Sequence, residues 1–224
     1  MNHAARLYNA TTHFCVCRLN NLSLILLSTL VMYSGQIYAN RAPVVSLLEN
    51  RQKNVVMQQW DLSCGAAALT TLLNFQHGFQ LTEKEVALEL VNRPEYIENP
   101  ELLKIKEGFS LLDLKRFVER RGYRGEGFGQ LTLENLLDMA PLIIPVEIDG
   151  YNHFVVFRGK AGNRILVADP AWGNRTLMVD TFMDAWIKFP EFGRVGFSVS
   201  RPDTIADLAS NLLIPNDLDF VMLR

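Results

Sequence analysis

Residues 58–69 read Gln58-Gln59-Trp60-Asp61-Leu62-Ser63-Cys64-Gly65-Ala66-Ala67-Ala68-Leu69, and they set a cysteine where a helix is about to begin. Ser63 is a suitable N-cap, and the run 66–73 is apolar and helix-favouring. A thiol in the first turn lies near the positive end of the helix dipole, beside backbone N–H groups with no intrahelical acceptor. That setting lowers a cysteine pKa and favours the reactive thiolate. A small buried structural cysteine has the same local look, so the reading depends on what the rest of the chain brings to Cys64.

Upstream, the first 39 residues have the composition of a secretory leader. Arg6 and Arg18 supply positive charge, no acid precedes Glu49, and an apolar core runs from Leu22 to Tyr33. Ser34-Gly35-Gln36-Ile37-Tyr38-Ala39 then offers a cleavage site after Ala39. The expectation is export to the periplasm or beyond; the alternative is an uncleaved inner-membrane anchor, against which the apolar run is short for a full span. Processing leaves about 185 residues, enough for one domain with its own core. It also removes Cys15 and Cys17, so the mature chain keeps Cys64 as its one thiol and has no internal disulfide to form. A lone thiol in an exported protein invites a functional explanation. The leader carries two Arg and no acid, which moves the net charge from −2 to −4. Nothing in that balance suggests nucleic acid as a partner, which would call for a basic stripe, and no Walker-type phosphate loop or internal repeat is present.

Along the mature chain, residues 40–54 form a mixed, partly extended lead-in, and a domain spans 55–200. Helices are predicted over 64–76, over 82–92 behind the capping box Thr82/Glu85, over 110–121 behind Ser110/Asp113, and over 132–139. After Pro141 the texture changes to short β-branched runs at 142–148, 153–158 and 164–168, separated by turn residues. A further strand at 176–179, a helix at 180–188 and a last strand at 195–199 follow. Helices first and an antiparallel sheet second is an α+β layout. The tail 201–224 is mixed in character and takes no assignment.

A thiol nucleophile needs a base within hydrogen-bond reach and a third group to orient it. His77 and His153 are the two histidines of the mature chain. His77 lies thirteen residues along the helix that Cys64 opens, roughly 20 Å away at 1.5 Å per residue, which leaves His153 by elimination. Asp169 ends the next predicted strand, where a hairpin brings it beside the start of the strand carrying His153. It can accept a bond from one ring nitrogen and fix the tautomer. Two histidines and one thiol are too few for a zinc site, so no metal and no other cofactor is implied. The oxyanion of acyl transfer needs donors: the Cys64 N–H is one, and Gln58 and Gln59 are both available for a second.

Gln58 six residues before Cys64, the Cys64-Gly65-Ala66-Ala67-Ala68-Leu69 helix start, His153-Phe154-Val155-Val156 and Asp169-Pro170-Ala171-Trp172-Gly173 together resemble the double-glycine leader peptidase family. These are papain-like cysteine peptidases best known as N-terminal domains of bacteriocin-exporting transporters. The resemblance covers residues 55–189. It implies a papain-like α+β fold with Cys64 as nucleophile, His153 as general base and acid, Asp169 as orienting residue and Gln58 as oxyanion donor. The chain is similar to stand-alone exported members, some encoded with secretion systems for extracellular amyloid, so a peptide substrate with a Gly-Gly site and secretion-system partners are the expectation. A non-catalytic binding module of the same fold, or another papain-like amidase or transglutaminase-like enzyme, would carry much of the same sequence.

Overall fold

The computed structural model describes residues 46–105 and 108–202. The leader 1–39, its cleavage site and the tail beyond residue 202 lie outside the described residues. In chain order the helices are α1 (Leu47–Gln52), α2 (Cys64–His77), α3 (Glu83–Val91), α4 (Pro94–Glu98), α5 (Glu101–Ile105), α6 (Leu111–Glu119), α7 (Leu133–Met139) and α8 (Val179–Ala185). The strands are β1 (Arg124–Phe128), β2 (Leu142–Ile148), β3 (Tyr151–Ala161), β4 (Arg164–Asp169), β5 (Gly173–Met178), β6 (Lys188–Phe189), β7 (Gly193–Arg194) and β8 (Gly196–Ser200).

Six strands form one antiparallel sheet in the order β1-β8-β2-β3-β4-β5, and β6 and β7 make a separate small pair. Both faces of the central strands are covered, which is why they read as continuous apolar runs rather than alternating ones. On one face Ile143, Val156, Ala168 and Phe197 pack with Ala66, Ala68, Leu69, Leu72 and Leu73 of α2. On the other, Leu142, Ile144, Val146, Val155, Phe157, Ile165 and Val167 pack with Leu136 of α7 and with Phe182 and Trp186. The α+β class expected from the sequence is the class observed.

Helix α2 is the central helix, its Ala66–Leu69 stretch fully buried. It stops at Gly78, in the left-handed conformation at φ 75°, where Phe79 N–H reaches the Leu73 carbonyl at 3.2 Å. Capping boxes at Thr82/Glu85, Ser110/Asp113 and Thr132/Asn135 start α3, α6 and α7. The β2–β3 hairpin turns through Asp149 and Gly150, both at positive φ (55° and 82°), and so begins β3 at Tyr151, two residues earlier than the sequence suggested.

Two expectations are corrected. The lead-in is helical, not extended, over Leu47–Gln52, with Ser46 and Glu49 forming a capping box. The helices do not all precede the sheet, because β1 falls between α6 and α7 and pairs with β8 at the edge. The segment Arg124-Gly125-Glu126-Gly127-Phe128 has none of the β-branched residues that mark a strand. Gly125 is needed there, since a Cβ would stand 2.8 Å from Val118 Cγ2 and 2.9 Å from Phe197 Cζ.

Candidate active site

Cys64 is the first residue of α2 and only 6 % exposed. The first intrahelical bond runs from Ala67 N–H to the Ser63 carbonyl at 2.9 Å, so the earlier amides of the turn are free for other acceptors. The backbone amides of Gly65 and Cys64 lie near the thiol, and that of Phe154 approaches it from β3. That contact joins the start of β3 to the start of α2 and brings the segment carrying His153 against Cys64. Gly65 permits it, since a Cβ there would stand 3.3 Å from Phe154 Cδ2.

The electrostatics at sulfur differ from the expectation of an acidified thiol. Burial pushes the Cys64 thiol up from its ordinary value, and the nearby Asp169 charge acts the same way. The three amides pull downward and do not outweigh the burial. A helix terminus lowers a thiol pKa only where solvation of the thiolate is not lost at the same time.

His153 Nε2 lies 3.2 Å from Asp169 Oδ2, as the hairpin argument required. The Asp169 side chain is 1 % exposed and the His153 side chain 14 %. Burial alone would raise the Asp169 carboxyl, but the His153 bond and charge, the Ala171 N–H on Oδ1 at 2.9 Å and the Arg175 guanidinium 3.5 Å from Oδ2 together hold it below the usual aspartate value. An ionised Asp169 can only accept, so Nε2 carries the proton it donates and Nδ1 is left as the basic ring nitrogen.

Of the two glutamines, Gln58 is the one inside. Its backbone N–H donates to the Pro170 carbonyl at 2.8 Å, next to Asp169, and its side-chain Oε1 is buried with no hydrogen-bond partner among the described residues. Gln59 is exposed, and among the described residues it engages through its backbone N–H alone. His77 lies elsewhere: its Nε2 donates to the Val199 carbonyl at 3.1 Å and its ring packs edge-on against Tyr123.

Two neighbours, Glu83 and Asn174, were not singled out from the sequence. Ser63 occupies the N-cap position without capping by its side chain; its hydroxyl donates instead to Glu83 Oε1 at 2.5 Å, with the Trp60 carbonyl 2.6 Å away as a second acceptor. Asn174 donates through Nδ2 to the Asn50 and Lys53 carbonyls at 3.1 and 2.7 Å, closing the end of α1 onto β5. Glu83 carried only the signature of a first-turn acid, and Asn174 no signal at all. Among the described residues no group of three or more His, Cys, Asp and Glu side chains is placed to hold a metal ion.

Comparison with known proteins extends this picture. Residues 52–189 match the Peptidase C39 family. The chain is 37 % identical over 163 residues to the probable functional amyloid protease FapD of Pseudomonas aeruginosa, covering 71 % of this chain and 69 % of that protein. It is 33 % identical over 174 residues to the protein of that name in Pseudomonas fluorescens, covering 74 % of each. In fold it is similar to a double glycine motif protease from an AMS/PCAT transporter, solved with the leader peptide, at TM-score 0.51 and 22 % identity over 74 % of this chain and 96 % of that one. The peptidase domain of Streptococcus ComA, a bi-functional ABC transporter, gives TM-score 0.51 at 16 % identity over 66 % of this chain and 97 % of that domain. The chain is a cysteine peptidase and belongs to the Peptidase C39 family.

Proposed function

We propose that the protein cleaves a secreted peptide or protein after a Gly-Gly type site by a Cys64–His153–Asp169 mechanism, as part of an amyloid-export system. The carrying observation is the pairing of His153 Nε2 with Asp169 Oδ2 at 3.2 Å while the next residue, Phe154, packs against Gly65, directly beside Cys64. A thiol held protonated by burial needs its proton taken as it attacks. His153 Nδ1 accepts that proton, and Cys64 Sγ bonds to the scissile carbonyl carbon. The negative charge that develops on the carbonyl oxygen is met by the Cys64 N–H and the Gln58 side-chain amide. Collapse breaks the C–N bond, and the leaving amine takes the proton from His153. Water, deprotonated by the same nitrogen, then hydrolyses the thioester and regenerates the thiol.

The substrate class draws support from the relatives: one solved neighbour is a double glycine motif protease held with a leader peptide, and the 37 %-identical relative is a probable functional amyloid protease. The apolar leader-like segment 1–39 supports action outside the cytoplasm, in the periplasm or beyond. The decisive experiment incubates purified protein with a fluorogenic peptide carrying Gly-Gly before the scissile amide. Cys64→Ala should abolish cleavage while circular dichroism stays unchanged; cleavage retained by the folded variant would remove the nucleophile assignment.

A further inference from the structure

One buried carboxylate outside the catalytic set is bonded to both ends of the loop 59–63 that leads into Cys64. Glu83 is the first residue of α3 and only 3 % exposed. Its two oxygens accept the Gln59 N–H at 3.1 and 3.0 Å, and Oε1 accepts the Ser63 hydroxyl at 2.5 Å. No cation pairs with it among the described residues. Its burial is instead compensated by these donors and by its place in the first turn of a helix.

These contacts have a geometric consequence at Gln58. The peptide plane before it is fixed by its own N–H on the Pro170 carbonyl at 2.8 Å, and the plane after it by the Gln59 N–H on Glu83. Fixing both planes that flank a Cα fixes its φ and ψ, and with them the direction in which the side chain leaves. At the other end of the loop, the Ser63 bond sets the position of the residue directly before Cys64. Between them Leu62 is held at φ 66°, a left-handed conformation that a leucine adopts only under constraint. Gly108 closes over it: a Cβ at Gly108 would stand 2.8 Å from the Leu62 carbonyl oxygen. A strained loop keeps its shape only while its surroundings over-determine it, and Glu83 supplies three of the contacts that do so.

We propose that Glu83 is a positioning residue of the peptidase reaction: by bridging Gln59 N–H and the Ser63 hydroxyl, it aims the Gln58 amide and sets the Cys64 N–H as a pair toward the developing oxyanion. The assignment rests on the reading of Gln58 and Cys64 given above. It predicts an effect on the chemical step with substrate binding intact, because the clamp touches donors that act on the transition state.

The experiment compares wild type, Glu83→Gln, Ser63→Ala, Gln58→Ala and the Glu83→Gln/Gln58→Ala double variant on a fluorogenic Gly-Gly peptide, alongside iodoacetamide alkylation of Cys64 at one fixed pH. Alkylation uses the thiol and needs no oxyanion donor. Glu83→Gln should lower kcat by about 10-fold or more, the scale of a misplaced catalytic group, with KM within about 2-fold and alkylation close to wild type. Ser63→Ala should show a smaller loss of the same kind, and it carries the test where Glu83→Gln fails to fold. In the Gln58→Ala background the Glu83→Gln loss should shrink. Equal losses in alkylation and kcat, or losses that multiply in the double variant, would overturn the clamp. Should Gln58→Ala alone leave kcat unchanged, the oxyanion assignment falls; should it lower kcat while Glu83→Gln and Ser63→Ala do not, the clamp alone falls.

Discussion

His153 and Asp169 stand sixteen residues apart in the chain and 3.2 Å apart in space, because β3 and β4 pair Val156 with Ala168 and bring the start of one strand beside the end of the other. The aspartate is buried beneath the ring and accepts from it, and in the proposed mechanism it holds the Nε2–H tautomer and stabilises positive charge when Nδ1 takes a proton. Asp169→Ala should therefore lower kcat by about 10²-fold or more, within the range that general acid–base groups contribute. Asp169→Asn should lose less, since its carbonyl oxygen can still accept from Nε2. Equal losses in steady-state kinetics would mean that the charge, not the acceptor, is what His153 needs.

The same carboxyl leaves a mark on stability. Asp169 is held below the usual aspartate value, first against burial and then by His153, Ala171 and Arg175. A depressed folded-state pKa contributes stability that is fully present above the unfolded value, near 4, and is lost as pH falls through the folded value. Denaturation curves for wild type and Asp169→Asn should converge below about pH 4 and separate above it.

The two glutamines differ in what they offer. Gln58 has a buried side-chain oxygen and a backbone pinned beside Asp169, whereas Gln59 is exposed and, among the described residues, bonded through its N–H alone. Gln58→Ala should lower kcat by about 10²-fold, the cost of removing one oxyanion donor, and Gln59→Ala by no more than about 2-fold. The reverse order in kinetic assays would exchange their assignments.

Much of this arrangement was legible because the signals are local or set by hairpin arithmetic. Cys64 at a helix start follows from an apolar Ala-rich run, and Asp169 beside His153 follows from two strands and a short turn. Glu83 was not legible. Its sequence context is that of a first-turn acid behind a capping box, and only the docking of α3 against a loop some twenty residues upstream makes it a buried acceptor. The thiol was misjudged for a related reason: sequence shows the helix terminus but not the depth at which it is buried. Strand β1 was hidden by Gly125 and Gly127, two residues of low β propensity; Gly125 allows close approach to Val118 and Phe197, while a Cβ at Gly127 would meet open space.

His77 is a second titration site, remote from Cys64. Burial lowers its pKa, the Val199 carbonyl bond opposes this, and the Arg201 charge adds to it. Its Nδ1 is buried with no partner among the described residues, so a proton added there would have no acceptor. With the folded value below the unfolded one, near 6.5, the stability it contributes is present above that pH and lost as pH falls below it. His77→Phe, which keeps a ring against Tyr123, should show a flatter loss of stability between about pH 7 and 5 than wild type in denaturant titrations. Its cleavage of a Gly-Gly peptide at pH 7.5, where both forms are neutral at this site, should match wild type to within about 2-fold. A larger loss of turnover in a folded His77→Phe would undo the assignment of His153 by elimination.

Gly173 decides how closely α1 can lie on the turn after Asp169. It sits at φ 92°, and a Cβ there would stand 2.6 Å from both the carbonyl oxygen and Cγ of Arg51. It is also the partner of Asp169 in the β4–β5 register, while Arg51 stacks 5.4 Å from the Trp172 ring beside it. Gly173→Ala therefore combines backbone strain with a clash against a carbonyl that cannot rotate away, and it should cost about 2–4 kcal/mol. Gly162 provides the control: it too has positive φ, at 57°, but open space where its Cβ would go, so Gly162→Ala should cost only about 1 kcal/mol. The excess at Gly173 measures the α1 contact, and it should appear as faster proteolytic nicking within residues 46–54 together with a loss of turnover transmitted through Asp169. Similar costs at the two glycines, with α1 still protected, would mean that this helix rests on the turn without constraining it.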